Sequence, residues 1–136
     1  MATTKASWLS TDGDGGTAGP VKTANSNRDG TGTVNTLYAG GSSGSTISSI
    51  NFRSAGTNVE TVARIFLNNG SANTTAANNI LWGEVPLPAT SASQVGAAPS
   101  VSVPGPAFLP SGYKILVTIG TTVAGGWYIS VGATDY

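Results

Sequence analysis

Apolar residues in this chain recur at every second position over short stretches, and runs of Gly, Ser, Asn and Thr separate those stretches. In YKILVTI, Tyr113, Ile115, Val117 and Ile119 share one face; in WYISV, Trp127, Ile129 and Val131 share one. A period of two is the mark of a strand, because successive side chains leave opposite faces of a pleated backbone. The pattern predicts strands at 33–38, 46–53, 59–67 and 80–87, a short one at 101–103, and two more at 113–119 and 127–133. TVNTLY and TISSINF add the β-branched and aromatic types that suit a pleated surface. AGGSSGS, NNGSANTTAANN and GTTVAGG hold residues that tolerate positive φ or form local side-chain turns. The last two predicted strands, joined by a Gly-rich loop, read as a hairpin supplying half a core layer. The fold class expected is all-β, an antiparallel β-sandwich.

One segment reads both ways. In GTNVETVARIFLNNG, Thr57 and Glu60 have the spacing of a helix capping box, and Val59, Val62, Ala63, Phe66 and Leu67 would form a helical stripe. With period two, Glu60 and Arg64 instead lie on one face of a strand, straddling Val62. The neighbouring segments are all strands, and the Ala, Lys and Leu richness of a self-sufficient helix is missing, so strand is the reading adopted. Arg64 then pairs with Glu60 or Glu84 at a core edge or a subunit contact. The sharper alternative makes Glu60 and Glu84 acid and base, with Arg64 holding an anion. A chain with no His and no Cys lacks the commonest general base and the strongest nucleophile, so no catalytic residue is assigned.

Residues 1–29 are Gly-, Thr-, Asn- and Asp-rich, with Trp8, Leu9 and Val21 as their sizeable apolar residues. They read as an extended N-terminal arm, anchored by Trp8 and Leu9, ahead of a β-sandwich domain at 30–136. GDGGTA at 13–18 fits a loose dinucleotide pattern, but no strand precedes it and Pro20 follows where a helix should open. DGDGG resembles the start of a calcium loop, yet Thr23 stands where the bidentate Glu belongs. No cofactor or metal is expected. Trp82, Trp127, Tyr113 and Tyr128 could build an aromatic sugar platform, though their spacing fits core packing better. The proline-rich stretch at 86–110 reads as a long connection carrying a short edge strand.

Composition narrows the function classes. The 136 residues suit one domain, and 39% are apolar, enough for a core. Only 9% are charged, six positive and six negative. A grip on nucleic-acid phosphates needs a basic excess that this balance does not supply. No apolar run approaches membrane-spanning length, no signal peptide is visible, and synthesis in a cytoplasm is expected. A neutral polar surface removes charge repulsion between copies, which suits a subunit facing other subunits.

The stretches KTANSNRDGTGTVNTLYAGGSSGSTISSINF, VARIFLNNG, EVPLP and LPSGYKILVTIG, and the closing VGATDY, bring a family into view. In that order they resemble the small capsid cement, or head decoration, proteins of tailed bacteriophages, over about Val21 to Tyr136. The likeness rests on the Asp-Gly-Thr-Gly opening at 29–32, the ARIFL strand, the LPSGY turn and the Asp-Tyr ending. It implies a jelly-roll-like sandwich that forms a homotrimer on the outer surface of the virion capsid. The partner implied is the major capsid protein, whose neighbouring subunits such proteins clamp, often through a terminal arm. Two other functions stay open: a fibre-tip or glycan-binding module using Trp127 or Tyr128, and an enzyme of surface polysaccharide using Glu60 and Glu84.

Overall fold

The computed structural model describes residues 6–12 and 19–136. Its strands are β1 (Ala6–Asp12), β2 (Asn35–Ala39), β3 (Ser45–Ser54), β4 (Thr61–Asn68), β5 (Asn79–Leu87), β6 (Ser100–Pro104), β7 (Lys114–Ile119) and β8 (Trp127–Asp135). One 3-10 turn, Ala76–Asn78, precedes β5. Two four-stranded antiparallel sheets result, ordered β1-β8-β3-β6 and β2-β7-β4-β5. Strand β1 pairs with β8, β2 with β7, β3 with β6 and β4 with β5. The described strands thus wind as one long hairpin rolled over on itself, and the β3–β8 and β4–β7 ladders complete each sheet. That is a jelly roll, a β-sandwich of the expected class.

Strands β3, β4, β5, β7 and β8 bury alternate residues between the sheets. From one sheet come Phe52 of β3 and Trp127, Ile129, Val131 and Ala133 of β8; from the other come Ala63 and Ile65 of β4, Val85 and Leu87 of β5, and Ile115, Val117 and Ile119 of β7. Along β3, Ile47 and Ile50 both face the core although three positions apart, because a bulge between Ile47 and Ser49 resets the alternation. Segment 59–67 is a strand from Thr61 onward, not a helix, while Val59 and Glu60 precede it and are exposed.

The predicted hairpin of 113–119 with 127–133 does not form. Strand β7 lies in one sheet and β8 in the other, so the Gly-rich loop crosses between layers instead of turning within one. Both strands bury the faces expected of them, and alternation alone cannot distinguish two strands side by side from two strands face to face.

The first strand arises within the segment read as an arm, in a Gly-free run, ASWLSTD, that lies along β8. Val21 is fully buried and exchanges backbone hydrogen bonds with Trp127 at 2.9 and 3.0 Å. The remainder of that segment's first half, residues 1–5 and 13–18 with the GDGGTA run, lies outside the described residues.

The outer faces of the two sheets differ. Phe66, Leu116 and Thr118 alternate with core residues and so point away from the sandwich interior, yet all three are buried. Residues 22–34 are fastened over that face: Asn25 N–H donates to Ile119 O at 2.9 Å and Arg28 reaches Glu84 at 3.0 Å. The Asp-Gly-Thr-Gly turn anchors this cover. Asp29 Oδ1 accepts from the N–H and hydroxyl of Thr31, and Asn73 Nδ2 donates to the carbonyls of Gly30 and Gly32. Gly30 has φ +80°, and a Cβ there would stand 2.8 Å from the Asn79 side chain, so the turn needs glycine on both counts.

Candidate functional site

Arg64 sits in the middle of β4, opposite Glu84 of β5 on one side and Thr118 of β7 on the other. Its side chain is 9% exposed and that of Glu84 35%. Arg64 Nε is 3.5 Å from Glu84 Oε2, while Arg28 Nη2 donates to Glu84 Oε1 at 3.0 Å. One carboxylate therefore serves two guanidinium groups. Arg64 Nε and Nη1 are buried and make no hydrogen bond among the described residues, and neither does the neighbouring Thr118 hydroxyl. Glu84, and not Glu60, is the partner of Arg64.

Glu60 stands apart from this group. It lies one residue before β4, four positions from Arg64, a distance along an extended chain on the order of 13 Å. It is exposed in an open groove with Val62, Pro86 and Pro88, where no second titratable side chain stands. Paired glycosidase carboxylates work at separations of about 5–9.5 Å, so the layout does not present Glu60 and Glu84 as such a pair. Among the described residues no group of three or more His, Cys, Asp or Glu comes together.

The aromatic residues divide. Trp127 is fully buried in the core, so it offers no face to a sugar, and Tyr113 is half-buried against that core. Trp82 and Tyr128 are exposed, on different sheets. The register sets Trp8 opposite Ala133 and Leu9 opposite Gly132, while their side chains lie outside the described residues.

Trp82 belongs to a second feature, at the edge of the sandwich. Strand β5 ends its sheet, and Ile80, Leu81 and Trp82 follow one another there at 62%, 37% and 38% exposure. They escape strict alternation because Ile65 faces Gly83 while the next residue, Phe66, faces Leu81, which leaves Trp82 as the extra residue of a bulge. Further along β5, Pro86 removes a backbone donor from the free edge, and Leu87 and Val85 return to the core. The edge is thus apolar over 80–82 and blocked at Pro86. Asn79 holds its start, donating to Asp29 O at 3.1 Å and to Asn73 O at 2.9 Å. The sequence carries a signal for this patch in three consecutive large apolar residues at the head of a predicted strand.

Comparison with protein-family models, curated proteins and solved structures finds no match to this chain.

Proposed function

We propose that this chain is a virion structural protein, a capsid cement or decoration protein that binds the outside of an assembled phage head as a trimer. The observation that carries the reading is the free edge of β5. An exposed apolar strand edge invites pairing, and chains that keep one unguarded have a partner for it. The chain's six positive and six negative side chains cancel, so little net charge repulsion opposes close packing of many copies. The ordered resemblance to cement proteins supplies the kind of partner.

Two copies joined edge to edge through β5 would make a twofold dimer, which does not suit a threefold lattice site. The β5 edge is therefore assigned to the major capsid subunit, and the contact between copies to other surfaces. A group that binds only the closed shell stabilises it by mass action, so the role is mechanical and not enzymatic. Neither nucleic acid nor membrane is a partner in this reading.

Quantitative mass spectrometry of purified particles tests it. Close to one copy per major capsid subunit is the expected result. A handful of copies per particle, or none, overturns the reading.

A further inference from the structure

Among the described residues, the outer face of the β1-β8-β3-β6 sheet carries no covering loop comparable to the one over the opposite sheet. On it lies a groove of about 410 Å³. Its polar lining forms two rows of three across adjacent strands. Ser130, Asn51 and Ser102 make one row, and Tyr128, Arg53 and Ser100 make the other. Neighbours within a row sit at the strand spacing of about 4.8 Å, and the rows are two residues, about 7 Å, apart.

The groups in this grid are not equivalent. Tyr128 is 48% exposed and stands beside its register partner Arg53. Arg53 is exposed, forms no ion pair among the described residues, and spends one donor on Ala98 O at 3.3 Å. Among the described residues no carboxylate lines the groove. Ser102 donates to Asn51 Oδ1 and Asn51 Nδ2 reaches Ser49 Oγ at 3.4 Å, which fixes the amide within its row. An aromatic face, hydroxyls and an amide at regular spacing, and one uncompensated guanidinium each select something in a ligand. The ring suits a flat C–H face, the neutral groups suit hydroxyls, and the planar fork suits a carboxylate held by two hydrogen bonds.

We infer that this face binds an acidic saccharide, one with uronic or sialic acid units, with Tyr128 beneath a sugar ring and Arg53 on its carboxylate. The inference is independent of the shell reading, since it rests on the opposite sheet and not on β5. Of Trp127 and Tyr128, the two aromatics considered for a sugar, Tyr128 is exposed and Trp127 is buried.

Titration of the full chain with trigalacturonate, hyaluronan tetrasaccharide and sialyllactose, followed by NMR or calorimetry, tests it, with maltotriose as the neutral control. At least one acidic sugar should bind with a Kd of about 1 mM or tighter, and maltotriose about tenfold more weakly. Arg53→Gln should reduce the acidic sugar's binding to the level of the neutral one. Tyr128→Ala should weaken acidic binding by about tenfold or more. Both side chains lie outside the core, so the circular dichroism spectrum should not change. No binding across the panel, equal binding of maltotriose, or binding indifferent to both substitutions overturns the inference.

Discussion

Arg64 and Glu84 face each other across β4 and β5, with Arg64 Nε 3.5 Å from Glu84 Oε2, and the arginine is the more deeply buried of the two. The asymmetry decides what each substitution does. Glu84→Gln strands a buried guanidinium whose Nε and Nη1 already lack hydrogen-bond partners. Removing one partner of a fully enclosed pair costs about 3–5 kcal/mol; water reaching the partly exposed carboxylate reduces this to about 2 kcal/mol here. Arg64→Met removes the charge and its unmet donors together, so a loss of about 1 kcal/mol or less is expected. Urea unfolding of both variants measures the difference. Equal losses would show that the stranded charge is not the source of the cost.

Asn58 joins three loops in one buried group. Its Oδ1 accepts from the N–H groups of Gly125 and Gly126 at 2.9 and 2.7 Å, and its Nδ2 donates to Gly126 O at 3.0 Å and to the hydroxyls of Ser54 and Thr90 at 3.2 Å. Gly125 N–H also has the carbonyl of Thr57, but Gly126 N–H would lose its acceptor in Asn58→Ala. A stranded donor plus the broken network should cost about 2–3 kcal/mol, visible as a lower denaturation midpoint at unchanged m-value. A loss below about 0.5 kcal/mol would mean that the loops hold their positions without it.

Tyr38 gives the fold an alkaline limit. Burial, and then its hydrogen bond to the Asp135 carboxylate, raise the phenol above its ordinary value of 10.0. Asp135 also accepts from Ser45 Oγ at 2.5 Å, so the penultimate residue of the chain ties β8 to β2 and β3. A raised folded-state value means that the folded state favours the protonated phenol. That stabilisation is fully present below pH 10.0 and is lost as pH rises through the folded-state value. In Tyr38→Phe this ionisation is gone, and stability should fall less steeply on the alkaline side than in the wild type. Superimposable alkaline slopes in urea titrations at stepped pH would contradict this.

The strands after residue 30 were legible because each carries its own period. The bulges in β3 and β5 were not, since nothing local shows that Ile47 and Ile50 face the same way or that Trp82 is an extra residue. Choosing Glu84 over Glu60 as the partner of Arg64 required the β4–β5 register, a long-range property. The burial of Phe66, Leu116 and Thr118 comes from neighbours outside their own strands, whereas period two reports only which face a side chain is on. Asn-rich stretches read simply as loops. Their carboxamides in fact satisfy the carbonyls of the Asp-Gly-Thr-Gly turn, which composition cannot reveal.

The β5 edge separates attachment from folding. Ile80 and Trp82 are exposed and lie outside the core cluster, so Ile80→Ser and Trp82→Ser should each change stability by only about 0.5 kcal/mol. If this edge meets the capsid subunit, the double variant should lose most of its co-sedimentation with heads that lack the protein. Pro86 already blocks the far half of the edge, and substituting Val95, a fully exposed apolar residue in the 88–99 loop, provides a control with no expected effect. Deleting residues 1–29 is a poorer test, because it removes β1 and the buried Val21 along with any arm. A double variant that folds and still binds heads as the wild type does would show that β5 is not the docking edge. A Val95→Ser variant that released the protein would place the contact on the long loop instead.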